Sequence, residues 1–340
     1  MRERAPLTIA LILIMFISLL NPAPESLREL TKEDVIHTSD VTWSGNMTLD
    51  DHVTITSSAT LTIEAGTKIN VTEDVTVTIS GNLDIQGTSI SPVEIWGSWI
   101  AETSVQARWQ GFLLESGSST TVTHTEISDS RGGFDLESGA TLDIGSTNFT
   151  DNIIGVWNKG TLTGDGFSCF TASTSCLRID GTTTINQITS SSSSEVVHVN
   201  NGGNANIGTV YSTNDADVIV LESGSIFNGE IEADGFSRVV RGSGSVSATV
   251  TLDSIGTGNV LVESDSLSGL LVTGGSPCSS TCTVESIITG FVDDVVFSSL
   301  FLHCGGLNPC IDARVDGTLE FAGAWPSTEI YPSSLFARLR

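Results

Sequence analysis

The sequence predicts an all-β chain wound as a right-handed, single-stranded parallel β-helix, a solenoid whose coils take about 21 residues each. Three observations lead there. Leu114-Glu-Ser-Gly117, Leu136-Glu-Ser-Gly139 and Leu221-Glu-Ser-Gly224 are near copies, and Val262-Glu-Ser-Asp265 is a fourth. With Gly160, Gly181, Gly202 and Gly244 they form a ladder whose seven steps are 22, 21, 21, 21, 22, 20 and 21 residues. The segments between these turns are short and rich in Val, Ile, Thr and Ser, and helical i, i+3, i+4 patterning is nearly absent after residue 40. A propeller blade takes about 40 residues, a sandwich about 100, and the consensus of a leucine-rich repeat is missing. The remaining solution is one solenoid turn per unit, with strands of successive turns paired in parallel and equivalent residues stacked about 4.8 Å apart. Right-handed winding follows from the strong preference of crossovers between parallel strands. Gly139, Gly160, Gly181 and Gly202 are then expected in one line. Phe112, Phe134, Gly155, Cys176, Val197, Ile219, Val239 and Val260, five positions before each turn residue, are expected to form a core column.

The elements follow in chain order. Residues 1–24 read as a signal peptide or short N-terminal anchor. Arg2 and Arg4 precede a 14-residue, nearly all-apolar run from Leu7 to Leu20, which suits a signal core and falls short of the about 20 residues that span a bilayer. No other membrane span is expected. Residues 25–40 are a linker or a capping helix. Ser26-Leu-Arg-Glu29 fits a capping box, and Leu27, Leu30 and Val35 give an apolar stripe for a helix over 27–35 that covers the first coil. Residues 41–320 form the β-helix, although the ladder loses register after Val272, and residues 321–340 are a C-terminal tail.

Charge and cysteines narrow the function. The chain has 14 Lys and Arg against 40 Asp and Glu, a formal charge of -26, and its only lysines are Lys32, Lys68 and Lys159. Such a surface offers no positive footprint to a phosphate backbone, which excludes nucleic acid as a partner. The six cysteines form three close pairs, Cys169 with Cys176, Cys278 with Cys282, and Cys304 with Cys310. Local disulfides in an oxidising compartment are the expected outcome, and the spacing of the last four matches no standard zinc ribbon. The protein is therefore expected to be secreted or held at the cell surface.

Several segments resemble a known group. Leu61-Thr-Ile-Glu-Ala-Gly-Thr67, Gly81-Asn-Leu-Asp-Ile-Gln-Gly-Thr88, Pro92-Val-Glu-Ile95 and Arg108-Trp-Gln-Gly-Phe112 are similar to the opening coils of right-handed β-helix surface proteins of the pectin-lyase-like superfamily. Thr147-Asn-Phe-Thr-Asp-Asn-Ile-Ile-Gly155 resembles that group's repeat of a small polar residue, an aromatic, an Asn and a Gly. The resemblance covers roughly residues 41–275. It implies a fold and not a reaction, because the group contains lyases, hydrolases, adhesins and structural coils. Of the motifs expected in its polygalacturonase-type hydrolases, only Asn82-Leu-Asp84 and the pair Asp293-Asp294 are present.

The candidate residues divide between two hypotheses. A structural, adhesive or carbohydrate-binding surface protein would use Trp96, Trp99 and Trp109, three rings in one short stretch that could stack on sugars. Its partners would be neutral extracellular glycans or other surface proteins, since an acidic chain repels polyanions. A polysaccharide lyase or glycoside hydrolase would instead need converging bases and acids. Lys159, Arg178 and His198 fall on successive coils of one face, with Asp180 or Glu195 as the ordinary ion-pair partners of Arg178, and Asp151 with His124 is a second pair to inspect. No cofactor is required. Calcium is the one candidate, at Glu115 and Glu137, two members of a column (Glu115, Glu137, Asn158, Asn200, Glu222, Glu263) that stands two positions before each turn.

Overall fold

A computed structural model describes residue 32, residues 34–100, 105–106, 108–234, 238–242 and 244–253, and beyond these only strands lying between 261 and 322. The chain is an all-β parallel solenoid of about nine turns with about 22 residues per turn. Each coil places one short strand in a 13-stranded sheet and the rest of its strand residues in a 17-stranded sheet. Early coils use three strands, such as His52–Ile55, Thr60–Ile63 and Lys68–Val71. From Thr141–Thr150 through Ser245–Asp253 the second and third strands fuse into one strand of nine or ten residues, as in Thr161–Phe170 and Thr182–Ser191.

Strand alternation explains the core. Thr60–Ile63 and Thr76–Ile79 bury every second residue, as a sheet with one dry face requires. Val53, Val77, Phe112, Phe134, Val156, Leu177, Val197, Ile219 and Val240 are successive register partners, and they form one apolar column through the solenoid. The expected column is correct at Phe112, Phe134, Val197 and Ile219. At three coils it is off by one. Val156, Leu177 and Val240 hold the register there, while Gly155, Cys176 and Val239 are the buried residues beside them. The cause is turn length. Gly139 and Gly202 take left-handed φ values of 90° and 81° in longer turns, whereas Gly160 and Gly181 stand one position later, in line with Ala140 and Gly203. At Gly181 a Cβ would lie 2.2 Å from the Gly160 carbonyl oxygen, so the tight turn excludes any side chain.

The irregular interval between Gly81 and Gly117 contains a hairpin. Trp99–Ile100 pairs antiparallel with Val105–Gln106, between strands that otherwise continue the coil. At the front, most of the helix expected over 27–35 lies outside the described residues. Its last two residues, Asp34 and Val35, belong instead to the strand Asp34–His37, which pairs with His52–Ile55 as part of the first coil.

Two features stitch neighbouring coils together. Aromatic rings follow one another through the core: Trp109 lies 5.4 Å from Phe112, Phe112 is stacked on Phe134 at 5.1 Å, and Phe149 meets Phe134 at 6.1 Å and Phe167 at 5.3 Å. A polar seam runs along one corner. There Asp129, Asp151, Thr171, Ser192 and Asn214 all have φ between 56° and 60°. The residue after each is buried, and side chains of the next coil receive the backbone N–H groups of Ser130 (by Asn152), Ala172 (by Ser193) and Ser193 (by Asp215). Buried N–H groups are thus satisfied by side chains stacked one coil away.

Cys169 and Cys176 form a disulfide with Cα atoms 5.8 Å apart, and both residues are buried. The other four cysteines lie outside the described residues. Closing so short a loop removes unfolded-state entropy worth about 2 kcal/mol. Reduction, or Cys176→Ser, should therefore lower the thermal midpoint by several degrees, and identical melts with and without reductant would show that the crosslink contributes nothing.

Candidate functional site

The outward face of the 13-stranded sheet is where side chains of chemical interest gather. Asp135, Trp157, Arg178, His198, Val220 and Arg241 are register partners on consecutive coils, hence one column on that face. Beside it, at the turn, stands a second column. Glu115, Glu137, Lys159, Asp180, Asn200 and Glu222 each donate a backbone N–H to the end of the preceding coil's strand. This corrects the acidic column expected from spacing: Asn158 is buried, and its amide donates to the Thr182 carbonyl and to Thr183 Oγ1. The shorter turn at Gly160 moves Lys159 into its place.

At the centre lies Trp157, a partly exposed ring. Its indole N–H donates to Asp180 Oδ2. Lys159 Nζ sits 4.2 Å from the ring centroid and pairs with Asp135 Oδ1 at 2.7 Å. The Arg178 guanidinium lies 5.2 Å from the same centroid. Cation–π contacts of this kind hold an aromatic ring in place at an exposed site. Asp180 accepts a further hydrogen bond from Asn200 Nδ2 at 2.7 Å.

One coil further, the charges are mutually engaged. Glu195 accepts from Ser175 Oγ at 2.7 Å, lies 2.9 Å from His198 Nδ1 and pairs with Arg241 at 3.1 Å. Arg241 also donates to Asp217 at 2.8 Å. Burial pushes the Glu195 carboxyl up, but the hydrogen bonds from His198 and Ser175 and the charges of His198 and Arg241 outweigh it and hold the group below its ordinary value. His198 Nε2 faces Glu222 Oε1 at 3.5 Å, within ion-pair range but with no hydrogen bond formed. Ser175 touches the carboxylate and not the imidazole, so the trio lacks the order in which a histidine activates a serine nucleophile.

Arg178 and His198 are thus neighbours in the strand column, and Lys159 stands beside them in the turn column. The structure does not pair Arg178 with Asp180 or Glu195, whose oxygens are taken up by Trp157, Asn200, Ser175, His198 and Arg241. Asp151 and His124 stand apart. Asp151 sits on the polar-seam corner and bonds Thr171 and Arg108, while His124 occupies the bend between Ser119–Thr123 and Thr125–Ser128.

The tryptophan stretch does not form a single platform. Trp109 is wholly buried, donates its indole N–H to the Ser128 carbonyl at 3.0 Å and packs edge-on against Phe112, so it is a core residue and not a ligand contact. Trp96 is partly buried on the other sheet, in register with Asn70. Trp99 belongs to the hairpin, and its side chain lies outside the described residues. Glu115 and Glu137 are neighbours at the turn, with Glu115 accepting from Ser80 Oγ. Among the described residues no group of three or more His, Cys, Asp or Glu side chains is arranged to hold a metal ion.

Trp157 is the functional candidate that spacing alone did not single out. The signal was present: it precedes Arg178 by one coil at the same strand position. No protein-family model matches the chain, and no curated protein and no solved structure is detectably similar to it.

Proposed function

We propose that the protein is an exported β-solenoid, secreted or held at the cell surface, that binds extracellular glycans without altering them, and that sugar docks on the face around Trp157. The observation that carries this reading is the ring itself, partly exposed on a regular sheet and braced by Lys159, Arg178 and Asp180. A flat aromatic surface beside fixed donors and acceptors is what the C–H face and hydroxyls of a sugar require. Export is supported by the N-terminal apolar run and by the Cys169–Cys176 disulfide. Kinship with the pectin-lyase-like surface proteins belongs to the same proposal, resting on the coil segments described above.

Binding is favoured over catalysis because the basic groups are committed. Lys159 is ion-paired, and His198 Nε2, the nitrogen that its contact with Glu195 leaves over, is buried and faces Glu222, whereas a general base needs a group free to take a proton from substrate. Trp157→Ala should weaken retention on an immobilised neutral polysaccharide roughly tenfold, the loss of about 1.4 kcal/mol of stacking, with the melting temperature nearly unchanged. Full retention by that variant would sink the proposed docking face. Release of reducing sugar or an unsaturated uronide, abolished by Lys159→Ala in folded protein, would favour the lyase or hydrolase alternative.

A further inference from the structure

We propose that Asn201 is a site of spontaneous covalent modification, in which the Gly202 backbone nitrogen attacks the Asn201 side-chain amide and converts the residue to a mixture of aspartate and isoaspartate. The chain holds two Asn-Gly pairs, Asn201-Gly202 and Asn228-Gly229. A glycine after asparagine favours this reaction, because it puts no Cβ in the way of ring closure and leaves the backbone free to turn. The two pairs are alike in covalent chemistry, and the fold treats them differently.

Asn201 and Gly202 are the exposed tip of the turn between Glu195–Val199 and Asn204–Thr213. The Gly203 N–H closes this turn by donating to the Asn200 carbonyl at 2.9 Å, and Gly202 takes a left-handed φ of 81°. Among the described residues the Gly202 N–H meets no acceptor, and the only hydrogen bond of Asn201 is made by its backbone N–H, to Glu222 Oε2 at 3.0 Å. Neither the attacking nitrogen nor the amide it attacks is held back by a partner. Asn228 lies instead inside the strand Ile226–Asp234. Gly229 is in register with Ile207 on one side and Ala248 on the other, and a Cβ on it would lie 1.8 Å from the Ile207 carbonyl oxygen. Swinging that glycine's nitrogen toward the Asn228 side chain would break the ladder, so reaction there waits for local unfolding.

The chemistry needs water alone. The Gly202 nitrogen gives up its proton to water and bonds to Asn201 Cγ, the Cγ–Nδ2 bond breaks, and ammonia leaves a cyclic imide. Water then adds to either imide carbonyl. Cleavage at Cγ restores the ordinary backbone with an aspartate side chain, and cleavage at the backbone carbonyl carbon leaves the chain running through the side chain as isoaspartate. Both products put a new carboxylate beside Glu222. Isoaspartate also lengthens the backbone at a turn closed by the single bond from Gly203 to Asn200. The modification therefore acts on the joint between two strands of one coil, and it depends on neither export nor glycan binding.

The test incubates the full folded chain in heavy-oxygen water at physiological pH and temperature and follows both Asn-Gly pairs by peptide mapping, with isoaspartate marked by isoaspartyl methyltransferase. Asn201 should convert at least about tenfold faster than Asn228, because the strand site reacts only from opened molecules, and in denaturant the two rates should become similar. The product should carry heavy oxygen and include isoaspartate. Asn201→Gln should abolish conversion at that position, since its longer side chain closes a less favourable ring, and leave Asn228 as it was. Equal rates in the folded chain, or an Asn201 that stays intact while the denatured chain converts, overturns the proposal. Aspartate formed without isoaspartate points to direct hydrolysis of the side chain and overturns the attack by Gly202.

Discussion

Replacing Phe134 with alanine is expected to destabilise the solenoid by about 3–5 kcal/mol, as for other fully buried phenylalanines. Phe134 is wholly buried in the core column, stacked on Phe112 from one coil and edge-on to Phe149 on the facing strand. The backbone around it has little freedom to collapse into the space left. A Cβ on Gly133 would already lie 2.5 Å from the Gly155 carbonyl oxygen, so the coils are in close backbone contact there. Coils of a solenoid are stabilised mainly by their immediate neighbours. The loss should therefore appear both in global denaturant unfolding and as faster amide exchange concentrated in strands Gly111–Leu114, Gly132–Leu136 and Ile154–Asn158. A change below about 1 kcal/mol, or protection lost evenly along the chain, would mean that the aromatic stack is not the unit that couples these coils.

How much of this was legible in the sequence depends on what each feature needs in order to be seen. The ladder of turn glycines was enough for the fold, because a side-chain period fixed by coil length survives small variations in spacing. It was not enough for the register. Counting back from the turns puts Gly155, Cys176 and Val239 in a column that belongs to Val156, Leu177 and Val240, since a turn shorter by one residue moves every position counted from it. The same slip put Asn158 on the surface and hid the fact that Lys159 stands there. The register of Arg178 with His198 was readable from coil spacing. The partners of Arg178 were not, because Asp180 lies near it in sequence yet turns to Trp157 and Asn200. For Trp109 the sequence leaves both packing and sugar stacking open, with packing favoured, and its burial against Phe112 decides for packing.

Asp215 carries no sequence signal for a related reason: nothing in Asn214-Asp215-Ala216 announces that the middle residue points inward. It is 1% exposed and lies at the polar-seam corner. Oδ1 accepts from Ser190 Oγ and the Ser193 N–H, and Oδ2 accepts from Ser212 Oγ and the Thr213 N–H. Asp215→Ala would take the acceptor from the Ser193 N–H and the Ser190 hydroxyl in the interior, while the Thr213 N–H, on an exposed residue, can turn to water. Each orphaned group costs about 1–3 kcal/mol, but hydroxyls can rotate toward other acceptors, so a net loss of about 3 kcal/mol is expected.

The pH dependence has a definite sign. Burial pushes the Asp215 carboxyl up, and the four hydrogen bonds lower it without fully compensating. A carboxyl raised on folding contributes most to stability below its unfolded value, near 3.9, and that contribution is lost as pH rises through the folded value. Asp215→Asn keeps an acceptor for Ser190 and Ser193, leaves the Thr213 N–H without one, and removes the ionisation. Relative to the wild type it should therefore fare worse at about pH 4 and gain ground toward neutrality. Denaturant titrations of both chains across that interval measure the difference directly. A gap that stays constant with pH would show that folding does not raise this carboxyl, and one that widens in favour of the wild type as pH rises would show that the ionised carboxylate is the form the seam holds.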